Sequence, residues 1–159
     1  MSDYADHEVI DRIKALLPGF AERAQETEDL RKVHPQNIAE LDEAGFFKLC
    51  QPAQWGGYET EMETFYSAAK LIASACPSTG WCASILGIHN WHLALFPQQA
   101  QEDVWGEDPT VRISSSYAPM GSSTKTDEGY VLNGKWSWSS GCQHADWVFV
   151  GGPVLDDDG

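Results

Sequence analysis

The chain has 159 residues, 42% of them hydrophobic and 11% aromatic, enough for one ordinary domain, or one domain and part of another, around a real core. Its 24 acidic side chains against 10 basic ones give a formal charge of −14, which repels phosphate backbones and anionic membrane surfaces and argues against nucleic acid as a partner. The N-terminal stretch MSDYADHEVIDRIK lacks the basic and apolar regions of a leader, no apolar run approaches a membrane span, and Cys50, Cys76, Cys82 and Cys142 form no C-x-x-C pair. A cytoplasmic protein is expected, with reduced, mostly buried thiols, no metal and no membrane partner.

Residues 5–17 place Val9, Ile10, Ile13, Leu16 and Leu17 at helical spacing, and Pro18 is expected to break or restart the helix. A more polar segment from Gly19 to Val33 should continue helical, with Phe20, Ala24 and Leu30 inward and Glu22, Glu26 and Glu28 solvated. His34-Pro35 marks a turn. Pro35 suits the first turn of a helix to Ala44, with Ile38 and Leu41 inward and Gly45 as its stop. After the apolar run Phe46 to Leu49, the stretch QPAQWGGY over 51–58 has no periodicity and reads as an ordered turn. Met62, Phe65, Tyr66, Ala69, Leu71 and Ile72 predict an amphipathic helix over 61–75, closed by Pro77. Ser78 or Thr79 can cap a further helix that Pro97 ends, and a short amphipathic segment from Gln98 to Trp105 follows.

That further helix, TGWCASILGIHNWHLALF over 79–96, has an unusual face. Wound at about 100° per residue, it brings Ile88, Trp81, His92, Ile85, Phe96 and His89 within an arc of about 100°. Two imidazoles and an indole therefore share an otherwise apolar surface. It reads either as core, with each histidine meeting one buried partner, or as the wall of a site. After Gly106 the character changes to β: VRISSSY over 111–117 alternates, YVLNGKWSWSSG over 130–141 is rich in β-formers, and DWVFV over 146–150 is a short apolar run. Three or four strands with turns between them are expected, as the start of a second domain that the chain leaves incomplete. Ser114, Ser115, Ser116, Ser137, Ser139 and Ser140 beside Trp136 and Trp138 could line a flat apolar pocket with a few donors, as a planar heteroaromatic cofactor requires, or could simply face water. No G-x-G-x-x-G, P-loop, G-x-S-x-G or H-E-x-x-H motif is present.

The helical N-terminal part, the PAQWGGYE loop, GWCASILGIHNWHLALFP, ISSSYAP and NGKWSWSSGCQHADWVFVGG together resemble the acyl-CoA dehydrogenase fold. Within it they resemble flavin-dependent monooxygenases that are the oxygenase components of two-component phenol hydroxylases, including those acting on 4-hydroxyphenylacetate and on the phenolic ring of secosteroids. The segment SYAP stands where acyl-CoA dehydrogenases proper carry a T-E-P-like stretch, and WSS stands where they carry W-I-T.

The resemblance implies an all-α N-terminal domain over 1–108, then the first strands of a β-barrel domain over 109–159, with the family's C-terminal helical bundle absent. It implies reduced flavin, FMNH2 or FADH2, supplied by a separate flavin reductase and reacting with O2 as a C4a-hydroperoxide to hydroxylate a phenol ortho to its hydroxyl. It also implies a homotetramer in the full-length family and a base for the phenol proton in the C-terminal bundle. Carried over by position, Ser140 is the candidate partner of the flavin N5 and Ser115 contacts substrate or isoalloxazine. Trp81 and His89 line the cavity, and Trp138 lies on the flavin-side strand. His89 and Ser115 are then the catalytic candidates, and Trp81, Ser115, Trp138 and Ser140 the cofactor-binding ones. Two other readings stay open: a catalytically silent fragment, and an acyl-CoA dehydrogenase or sulfur-oxidising relative on the same fold.

Overall fold

The computed structural model describes residues 7–155. Helix α1 (Glu8–Glu22) opens on His7, whose Nδ1 accepts from the Val9 amide at 3.2 Å, and it buries Val9, Ile10, Ile13 and Phe20. The expectation for residues 5–17 is met in the described part, while residues 5 and 6 lie outside it. The break expected at Pro18 does not occur. Proline removes only one ladder donor, and Phe20, fully buried just beyond it, holds the next turn on the core. Helix α2 (Ala24–Leu30) is shorter than expected. It ends on Arg31 in the left-handed region and turns Thr27 inward, whereas Leu30 is exposed.

Helix α3 (Pro35–Ala44) forms as the sequence predicts, with Pro35 in its first turn and Gly45 at φ 88°, a conformation that an L side chain resists. Short 3-10 turns follow at Phe46–Lys48 and Ala53–Trp55, the first burying Phe46 and Phe47. Helix α4 (Met62–Ala75) buries Phe65, Ala68, Leu71 and Ile72, but Tyr66 faces solvent. Phe65 stacks on Phe46 at 5.4 Å in the centre of the core.

Helix α5 (Pro77–Leu93) starts directly behind α4, with Pro77 as its first residue and Cys76 as N-cap. Neither Ser78 nor Thr79 caps it. Thr79 is buried one turn further in, where its hydroxyl accepts from Asn37 Nδ2 at 2.9 Å and donates to Cys76 Sγ at 3.2 Å. Asn37 in turn accepts from Arg23 Nε at 2.6 Å, and Arg23 pairs with Glu40, so a polar chain crosses the helical core with its groups satisfied. Helix α6 (Gln98–Trp105) follows Pro97 and buries Val104 and Trp105. All four thiols are free: Cys50 and Cys76 are buried, Cys82 is half-buried and Cys142 is exposed.

Strand β1 (Ile113–Ser116) pairs in parallel with β4 (Trp147–Val150), Ile113 opposite Trp147 and Ser116 opposite Val150. Strands β2 (Gly121–Thr126) and β3 (Gly129–Gly134) form a hairpin about residues 127–128, and β5 (Val154–Leu155) adds to β2 in parallel. The expected strand over 130–141 therefore ends at Gly134, and Trp136, Trp138 and Ser140 do not alternate on a ladder. Side chains hold that segment instead. Trp136 Nε1 donates to the Gly151 carbonyl at 2.8 Å, and Ser139 donates to Ser114 Oγ at 2.8 Å. β2 itself, GSSTKT, was expected as turn, because it offers no apolar alternation. Arg112 ties this part to the helices: it lies 5.6 Å over the Phe47 ring and 3.6 Å from Asp42.

The contact between α4 and α5 yields a prediction. A Cβ on Gly80 would lie 2.5 Å from Ala73 Cα, too close for the two backbones to stay where they are. Alanine in a helix interior is worth about 1 kcal/mol over glycine, and overpacking costs about 1–3 kcal/mol, so Gly80→Ala should destabilise. Urea unfolding checks this, and a variant more stable than the parent would show that the helices can separate at no cost.

Candidate functional site

Helix α5 carries the expected face, but the face opens onto a cavity and is not covered by core. Its buried edge is His89, 1% exposed, and its outermost residue is Trp81, 61% exposed. The His89 Nδ1 lies 2.7 Å from the Ile113 carbonyl of β1. A carbonyl can only accept, so Nδ1 carries the proton and Nε2 keeps a lone pair, with no hydrogen-bond partner among the described residues. Burial holds this imidazole below the ordinary histidine value of 6.5, against the Ile113 carbonyl, which favours the charged form; the neighbouring His92 lowers it further.

His92 sits one turn on, in the last turn of α5, with Nδ1 2.6 Å from the Tyr117 hydroxyl. The rings of Tyr117 and Phe149 make edge contacts with both histidines, and Phe149 stacks on Phe96 at 5.3 Å. Phe96 thus joins the cluster from beyond the end of the helix, not from its face. Burial pushes the Tyr117 phenol above its ordinary value of 10, with the Ser115 hydroxyl working against this, so the phenol keeps its proton.

These side chains border a cavity of about 370 Å³ lined by Ile85, Ile88, His89, Trp91, His92, Ser115 and Tyr117. Ser115 and Tyr117 also border a second cavity of about 370 Å³, lined further by Ser116, Ala118, Met120, Ser137 and Trp138. Of the residues singled out in the sequence, His89 and Ser115 share the first cavity, and Ser115 and Trp138 share the second. Trp81 and Ser140 meet each other, Trp81 Nε1 donating to Ser140 Oγ at 3.0 Å, which leaves the serine its own proton to give. They border neither cavity directly. Trp81 extends the wall by one turn of α5, because Ile85 stands four residues further along the helix. Tyr117 and Phe149 are the residues that sequence reasoning missed as site residues. Tyr117 could have been found as the last member of the alternating face of VRISSSY.

The arrangement suits a flat heteroaromatic group. Trp138 is 86% exposed and offers an open indole face, Ser115 and Ser140 supply hydroxyls, and among the described residues no carboxylate lines either cavity. Among the described residues, no helix is long and apolar enough to cross a membrane.

Comparison with known proteins gives the family. The family model "Acyl-CoA dehydrogenase, N-terminal domain" matches residues 7–108. The chain is 63% identical over 146 residues to the flavin-dependent monooxygenase, oxygenase subunit HsaA, of Rhodococcus jostii, a match that covers 92% of this chain and 38% of the relative. It is 37% identical over 157 residues to the oxygenase component of p-hydroxyphenylacetate 3-hydroxylase of Acinetobacter baumannii, covering 99% of this chain and 37% of that one. The crystal structure of 3-HSA hydroxylase from Rhodococcus sp. RHA1 superposes with a TM-score of 0.94 at 62% identity, covering 96% of this chain and 39% of that one. The chain thus spans under two-fifths of the length of these relatives, and over that span its fold follows that of the solved structure. By the match over residues 7–108, this chain belongs to the acyl-CoA dehydrogenase family.

Proposed function

We propose that this sequence is the flavin- and substrate-facing N-terminal part of the oxygenase component of a two-component monooxygenase, which hydroxylates a phenolic ring ortho to its hydroxyl with reduced flavin and O2. The observation that carries the reading is the pair of adjoining cavities that share Ser115 and Tyr117, one walled by histidines and the other by an open indole. The names of the relatives support it, since the two curated ones are oxygenase parts of hydroxylating enzymes. A separate flavin reductase as partner and a homotetrameric assembly belong to the same proposal. So does a division into a helical domain over 1–108 and the start of a β domain over 109–159, supported by the span of the family match and by the first strand at Ile113.

In this proposal Trp138 and Trp81 provide stacking and dry walls for the isoalloxazine, and Ser140 and Ser115 give hydrogen bonds to its polar edge. Bound reduced flavin supplies the electrons that activate O2. The indole and aliphatic walls keep water away from the reacting centre. His89 stays neutral and presents Nε2 as an acceptor in the cavity wall, oriented by its Nδ1–H bond to Ile113. Ser115, at the border of both cavities, is placed to touch substrate and cofactor at once.

Two measurements test this. The polypeptide carrying this sequence, given reduced flavin, 18O2 and a panel of phenols, should form catechols that each carry one labelled oxygen. Hydrogen peroxide without labelled catechol would overturn the reading. The second concerns acid stability. Because His89 in the fold binds its proton less readily than the ordinary histidine at 6.5, the unfolded chain takes up more protons on acidification. Stability is therefore highest above that value and falls as pH drops through 6.5, by up to about 1.4 kcal/mol per pH unit for one proton. His144, lowered by burial in the same way, adds to the slope. Chemical unfolding between about pH 7.5 and pH 5 should show a shallower decline in His89→Gln than in the parent.

A further inference from the structure

Of the two histidines at the α5 cavity, one is buried and the other stands at the rim. His89 is buried, and its Nδ1–H is committed to the Ile113 carbonyl, so a second proton on Nε2 would place a cation away from water. His92 is half-buried at the rim and stands in the last turn of a 17-residue helix, where the carbonyl end of the macrodipole favours a cation. Its hydrogen-bond partner among the described residues is the Tyr117 hydroxyl at 2.6 Å, and Tyr117 borders both cavities. The groups that face His92 are Tyr117, His89 and the rings of Phe96 and Phe149. Among the described residues, the contacts of His92 include no carboxylate, lysine or arginine.

We propose that Tyr117 and His92 form a proton exit from the cavity: Tyr117 accepts the hydroxyl proton of a bound phenol while giving its own proton to His92, which passes one to solvent. The inference rests on the phenol reading of the cavity given above. In the neutral pair the Tyr117 O–H donates to Nδ1 of His92, which carries its own proton on Nε2. A phenol donating to Tyr117 Oη loses its proton as the tyrosine proton moves to Nδ1. This leaves a phenolate, a neutral tyrosine and an imidazolium, and the Nε2–H of the imidazolium then releases a proton to water. One proton enters, one leaves, and no electrons move. The phenolate is the form whose ortho carbon is nucleophilic, so the step has a direct use in ring hydroxylation. Tyr117 touches the ligand and is a catalytic residue. His92 acts through it and is a positioning residue.

The test uses a nitrophenol, whose absorption reports its ionisation, mixed with the polypeptide carrying this sequence at about one pH unit below the phenol's own pKa. In the parent, binding should produce the phenolate spectrum without flavin or turnover. In Tyr117→Phe and His92→Ala the bound phenol should keep its proton, and added imidazole should restore ionisation in His92→Ala but not in Tyr117→Phe. In turnover, kcat of both variants should fall by about 100-fold, with KM within about two-fold of the parent. Ionisation that persists in both variants, or a loss in His92→Ala that imidazole does not restore, would overturn the exit. A parent that binds no phenol would overturn the exit together with the phenol reading. A parent that binds and ionises the phenol yet yields no labelled catechol would count against oxygenation alone and leave the exit standing.

Discussion

The hydrogen bond from the His89 ring to the Ile113 carbonyl is the buried polar tie between α5 and β1, joining two parts of the chain 24 residues apart. It is buried, so losing either partner would leave a polar group without water or a mate, at about 1–3 kcal/mol. Its effect on chemistry is as large as its effect on stability. By fixing Nδ1 as the donor, it decides which nitrogen of His89 faces the cavity and keeps the ring neutral. It also sets the height of β1 along α5, and with it the positions of Ser115 and Tyr117, two and four residues further on.

Around that bond the site is built from aromatic edges more than from backbone pairing. His89, His92, Tyr117, Phe149 and Phe96 make six ring contacts with centroids 5.1 to 5.7 Å apart. Each such pair is worth about 0.5–1.5 kcal/mol beyond its buried area, and together they bind the end of α5 to β4 as well as to β1. The segment 135–140 is held in the same manner. Its tryptophan and serine side chains reach Gly151, Ser114 and Trp81, while its backbone takes no place in either sheet. This explains why an open indole such as Trp138 can stand beside a structured wall: the neighbours on either side anchor the chain, and the indole itself is left exposed.

The two histidines illustrate how burial sorts chemically identical groups. On sequence alone they stand three residues apart on one helix face, and the resemblance favoured His89. The fold places His89 under the strand, where its ring is tied to a backbone carbonyl, and His92 at the rim and the helix end, where it meets the Tyr117 hydroxyl.

The helical half was legible because its signals are local. Apolar spacing, Pro35 and Gly45 predict α3 to the residue, and Gln98 to Trp105 likewise, since a helix satisfies its own backbone within four residues. The exceptions have tertiary causes: Phe20 carries α1 through Pro18, and the buried Asn37–Thr79 bond takes Thr79 away from a capping role. The β half was legible in composition only. Nothing in GSSTKT announces a strand, and nothing in KWSWSS announces its absence, because a ladder depends on partners tens of residues away, such as Ser116 opposite Val150. The sequence by itself determined the face that carries Trp81, His89 and His92, and the motifs that mark the family. Only the tertiary structure decided that Trp81 meets Ser140 across 59 residues, that Tyr117 stands between two cavities, and which histidine is buried, because these depend on distances that no local pattern encodes.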